Sequence, residues 1–127
     1  MTVSEGEFYE SVTQRADLTD EADARDATQA VLSALGERLD EHRSHQLADD
    51  LPKEIADHLT DGASGRRFSS EEFIERVTER TDRADIGEPE LLSEAVIGTV
   101  LDSVDDETST ELRERLGELE YDAFVPE

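Results

Sequence analysis

Ser4-Glu5-Gly6-Glu7-Phe8-Tyr9-Glu10-Ser11-Val12-Thr13-Gln14-Arg15 and Ser69-Ser70-Glu71-Glu72-Phe73-Ile74-Glu75-Arg76-Val77-Thr78-Glu79-Arg80 follow one pattern at an offset of 65 residues. Both open on Ser-x-x-Glu, the capping box that starts a helix. Val3 and Phe68 precede the caps, and Phe8 and Phe73 take the fourth helical position, which is the spacing of a hydrophobic staple. Phe8 with Val12, and Phe73 with Val77, then put one apolar stripe on each segment. Helices are expected over about 5–16 and 70–81.

The register holds beyond this helix. At the same offset of 65, Asp17/Asp82, Asp20/Asp85, Ala30/Ala95, Val31/Val96, Asp40/Asp105, Ser44/Ser109, Leu47/Leu112, Leu51/Leu116 and Asp57/Asp122 are identical. Apolar swaps such as Leu32/Ile97, Leu35/Val100, Leu39/Val104 and Leu59/Phe124 keep the pattern. Two unrelated segments do not hold one register for so long. The expected architecture is all-α: a single compact domain of two tandem homologous units, 4–60 and 69–125, joined by a linker at 61–68. Each unit has three to four helices.

The second helix of the first unit is expected from Thr19 or Asp20 to about Leu39, with Ala27, Ala30, Val31, Ala34 and Leu35 on one face. Its copy starts near Pro89, a good first-turn residue. A short helix carrying Leu47 and Leu51 follows, matched by Leu112 and Leu116, with Thr108-x-x-Glu111 as a further capping box. Leu51-Pro52 breaks that helix, because the residue before proline avoids helical geometry. Gly117 stands at the proline's place and is expected to break the copy. Last helices are expected around Ile55 and Leu59, and around Leu119, Tyr121 and Phe124. No stretch alternates as a strand does.

Ala30-Val31-Leu32-Ser33-Ala34-Leu35-Gly36-Glu37-Arg38-Leu39, followed by Leu47-Ala48-Asp49-Asp50-Leu51-Pro52, resembles the domain of unknown function 2267 family. Phe73-Ile74-Glu75-Arg76-Val77, Ala95-Val96 and Leu112 to Leu116 extend the resemblance over nearly the whole chain. Gly117 departs from it. The resemblance implies a small, soluble, all-helical protein and brings no activity and no catalytic residue.

Composition constrains function mainly by exclusion. The 127 residues carry 35 acidic and 12 basic side chains, a net charge of −23 and a pI near 4.2. Lys53 is the one lysine. Such a chain repels itself at low ionic strength, and in molar salt the screening length falls to about 3 Å. The acids are spread through periodic apolar segments, not gathered in a tail, so they read as adaptation to a salt-rich cytoplasm. A nucleic-acid partner is not expected, because that needs a basic face. Without cysteine there is no disulfide, thiolate nucleophile or cysteine metal site. No leader and no membrane span are expected, which points to a cytoplasmic location.

The candidate chemistry is sparse. Glu41-His42-Arg43-Ser44-His45 sets two histidines at i, i+3 with Asp49 a turn beyond, a possible two-histidine, one-carboxylate metal face. The second unit has nothing comparable, and the ordinary reading is a solvated acidic surface, so no metal ligand and no cofactor is assigned. His58 reads as a charge partner for a helix C-terminus. Gly62-Ala63-Ser64-Gly65 misses the nucleophile-elbow pattern, since position 66 is Arg. Arg66, Arg67, Arg76, Arg80 and Arg83 form the one basic cluster, for which pairs such as Glu72–Arg76 and Glu79–Arg83 give a local account. No catalytic residue is assigned.

Arg15 and Arg80 border the core stripe in both units. Each is expected to lay its stem on the core edge and its guanidinium on carbonyls or carboxylates where the unit's first two helices meet. The reading that fits best is a non-enzymatic helical interaction or adaptor module with a protein partner. The alternatives are a metal-dependent enzyme around His42, His45 and Asp49, and a small-ligand protein with its site between the units.

Overall fold

The computed structural model describes residues 4–39, 41–60, 69–81, 88–118, 121 and 124, with the backbone alone for 41 and 43. The helices are α1 (Glu5–Ala16), α2 (Glu21–Arg38), α3 (Glu41–Ala48), α4 (Lys53–Thr60), α5 (Ser70–Thr81), α6 (Pro89–Ser103) and α7 (Asp106–Glu118). There is no strand among the described residues, and the fold is all-α. No described helix is long and apolar enough to cross a membrane.

The expected caps start α1 and α5. Ser4 Oγ accepts from the Glu7 amide at 3.2 Å, and Ser69 Oγ accepts from the Glu72 amide at 3.2 Å. The staple residues Val3 and Phe68 lie outside the described residues, as does the linker 61–68. α1 ends at Asp17, whose left-handed backbone (φ 54°) is the conformation that closes many helices. Asp20 caps α2 through the Asp23 amide at 3.1 Å. α6 has no side-chain cap and begins on Pro89. The break at Leu51-Pro52 separates α3 from α4 as expected.

Three expectations fail in the second half. Gly117 does not break α7, which runs on to Glu118. A glycine inside a helix costs about 1 kcal/mol, too little to outweigh the burial of Leu112 and Leu116 on the same helix. Beyond α7, Leu119 and Asp122 lie outside the described residues, and Phe124 sits in a 3₁₀ turn where a fourth helix was expected. Nor does Thr108 cap α7. Asp105 does, its Oδ1 accepting from the Thr108 amide at 2.8 Å, and that bond holds the Asp105 carboxyl below its ordinary pKa.

α2 and α6 pack against each other at the centre, and α1 and α5 each pack on both of them. α4 seals α2 together with α3, and α7 lies on α6. Small residues are buried on both central helices: Ala24, Ala27, Ala30 and Ala34 on α2, and Ala95 and Gly98 on α6. Gly36 permits the closest approach of α4, since a Cβ there would lie 2.2 Å from the Leu59 carbonyl oxygen. Phe8, Val12, Phe73, Val77, Leu35 and Val100 are fully covered. Phe73 stacks on Phe124 at 5.4 Å between ring centres, with Tyr121 at 5.2 Å. Thr28 and Ser93, 65 residues apart, bury hydroxyls that lack a hydrogen-bond partner among the described residues.

Candidate functional site

The packing sets the first helix of each half against the second helix of the other. α1 meets α6 through the Ser11 and Thr99 hydroxyls at 3.3 Å and through an ion pair between Arg15 and Asp102. α5 meets α2 through Arg80, which donates to Ser33 Oγ at 2.9 Å and pairs with Glu37. Arg76 reaches the other oxygen of Glu37 at 2.8 Å and holds Glu72 at 3.0 Å. The Glu72 hydrogen bond is the main cause that raises the Arg76 pKa. Arg15 and Arg80 thus stand 65 residues apart, and so do their acids Glu37 and Asp102. The partners expected within one half are instead supplied by the other half.

A cleft lies beside the Arg80 clasp. It has a volume of about 510 Å³ and is lined by Asp26, Gln29, Ala30, Ser33 and Glu37 of α2, His58 of α4 and Arg80 of α5. The α2 residues recur at i, i+3, i+4, i+7 and i+11, which is one helix face about 16 Å long. Asp26 and His58 make no hydrogen bond or ion pair among the described residues. Glu37, by contrast, is held by two arginines and its side chain is only 16% exposed.

The same place on the other half holds a different cleft. Arg15, Leu91, Glu94 and Ala95 line about 140 Å³. Subtracting 65 from the last three gives Asp26, Gln29 and Ala30, and adding 65 to Arg15 gives Arg80. The alanine and the arginine are kept, while carboxylate becomes Leu91, amide becomes Glu94 and Ser33 becomes Gly98. His58 corresponds to Ala123 in sequence. Leu91 is 41% exposed, a large apolar side chain facing water.

His42 and His45 lie on α3, and Asp49 follows in the next turn. All three side chains are exposed. His42 faces a surface cleft with Gln46, Glu111, Glu114, Arg115 and Glu118, in which Gln46 donates to Glu111 at 2.9 Å. Neither His45 nor Asp49 lines it. No three potential ligands converge in a metal-holding group among the described residues. Ser64, Arg66, Arg67 and Arg83 lie outside the described residues.

A second cluster joins α1, α2 and α4. Tyr9 donates to Glu54 at 3.3 Å, and the Arg25 guanidinium sits 5.2 Å above the Tyr9 ring. Burial and Glu54 push the Tyr9 phenol up to about 12, and a hydrogen bond to Glu54 raises the Glu5 carboxyl. A phenol raised this far is a poor base at neutral pH, and the cluster reads as a tie between helices.

His58 was legible only as a helix-end charge, and Asp26 and Gln29 carried no signal at all. Their positions converge through the packing of α4 on α2, and no local spacing encodes that. The offset does hold a clue, because core positions repeat while 26, 29, 33 and 58 do not.

No curated protein matches the chain. A family model described as an uncharacterized conserved protein (DUF2267) covers residues 5–121. The chain belongs to this family of unknown function.

Proposed function

We propose that this protein is a non-enzymatic interaction module built by duplication of one helical unit and suited to a high-salt cytoplasm. Its recognition surface is the cleft between α2, α4 and α5. The observation that carries this reading is the contrast between the two offset-related clefts. If the halves began alike, the frame residues Ala30/Ala95, Arg80/Arg15 and Glu37/Asp102 kept their kind. The residues that would touch a partner diverged, and only one cleft stayed wide and acquired Asp26, Gln29, Ser33 and His58. A partner protein is the first reading. A small ligand is the second, favoured by a volume of about 510 Å³, which falls in the range of ligand sites.

A photo-reactive side chain placed at Gln29 or at Glu94 tests the surface. In a lysate kept at molar salt, mass spectrometry should find one defined adduct at position 29 and none at 94. Equal labelling at both positions, or none at 29, refutes the assignment. The high-salt reading rests on the net charge of −23. The melting temperature should rise steadily from dilute buffer to molar KCl, as screening removes self-repulsion. A flat series removes the salt argument and leaves the cleft untouched.

A further inference from the structure

The residues that distinguish the wide cleft from its counterpart have a common chemistry. Ala30, Glu37 and Arg80 belong to the frame, since the other half repeats them in kind and Glu37 is occupied by Arg76 and Arg80. What remains is Asp26, Gln29, Ser33 and His58. Asp26 is a carboxylate with no partner among the described residues. Gln29 offers an amide carbonyl, and His58 an imidazole set across the cleft on α4. Ser33 is already committed, donating to the Ala30 carbonyl at 3.2 Å and accepting from Arg80. One unpaired negative charge flanked by hydrogen-bonding groups complements a positive charge that carries N–H donors.

We infer that the α2–α4–α5 cleft binds a small aliphatic amine, with its ammonium on the Asp26 carboxylate and its chain lying along Gln29, Ala30 and Ser33 toward His58. This rests on the reading of that cleft as the recognition surface. The acids spread over the rest of the surface attract any cation at low salt. In molar salt that attraction is screened over about 3 Å, so only contacts made inside the cleft survive.

The test is a titration of isotope-labelled protein with 1,4-diaminobutane in molar KCl, followed by amide and histidine-ring NMR, with 1,4-butanediol as the neutral control. Saturable shifts are expected at residues 26–33 and at the His58 ring, with the diamine and not with the diol. Asp26→Asn should weaken binding at least tenfold, while Glu94→Gln on the counterpart cleft should leave it unchanged. Shifts that do not saturate, that spread over the acidic surface, or that survive Asp26→Asn overturn the proposal. If the photo-reactive group at position 29 captures a defined partner while the diamine fails to bind, the cleft stands and the amine assignment alone falls.

Discussion

The two halves of this protein agree in their interior and disagree at their ends. α1 and α5 cover offset-equivalent residues, and α2 and α6 end at equivalent positions. α2 is capped by Asp20 and runs 18 residues, whereas α6 starts on uncapped Pro89 and runs 15. After the central helices, Pro52 divides the first half into α3 and α4, while α7 continues through Gly117. The difference teaches where the fold is specified. The arginines and acids that fasten the halves, Arg15/Arg80 and Glu37/Asp102, are held to one kind of residue. Positions that close helices or line clefts are free to change, and there the halves part company.

The sharpest way to break this comparison is at the glycines. Gly36 has α4 backbone against it, whereas its counterpart Leu101 carries a full side chain. Gly36→Ala should lose about 3 kcal/mol, at the upper end of overpacking costs. Nothing lies within 4 Å of a Cβ at Gly117. Gly117→Ala should therefore gain up to about 0.5 kcal/mol, because alanine loses less backbone entropy in a helix. Denaturation in constant molar KCl reads both. Equal effects would mean that α4 does not pack on α2 as described.

The arginine clasps come next. Arg80 touches Ser33 and a carboxylate that is 16% exposed, while Arg15 meets Asp102, which is 63% exposed. Water screens the second pair far more. Arg80→Ala should cost about 1–2 kcal/mol and Arg15→Ala about 0.5 kcal/mol. The loss at Arg80 is capped because Arg76 still holds Glu37. Two changes below about 0.5 kcal/mol would mark both as ordinary surface arginines.

The fold was readable wherever the cause is local. Ser4 and Ser69 set the starts of α1 and α5 through side chains three residues away. Pro52 ends α3 by its own ring, and Leu32, Leu35 and Ile97 show the core by period. Local signals misled where a larger effect competed. At Gly117 the packing of α7 overrode a weak breaker, and at Thr108 a better-placed acid, Asp105, took the cap. The site was hardly readable. Arg15 and Arg80 stood out by repetition, but their acids lie on the other half, and the paired acids Glu37 and Asp102 become a signal only once the halves are superposed. Asp26 and Gln29 share a face of α2, and His58 meets them only through the packing of α4 on α2, which no spacing encodes.

The halves form one frame, each first helix fastened to the other half's second helix. Native-state hydrogen exchange at rising denaturant in molar KCl tests it most directly. If the halves are interlocked, the slowest amides of α2 and α6, such as those of Leu32 and Ile97, share one opening free energy and one denaturant slope. If α6 and α7 open at a lower free energy while α2 and α4 stay protected, the halves are separable and the claim is wrong.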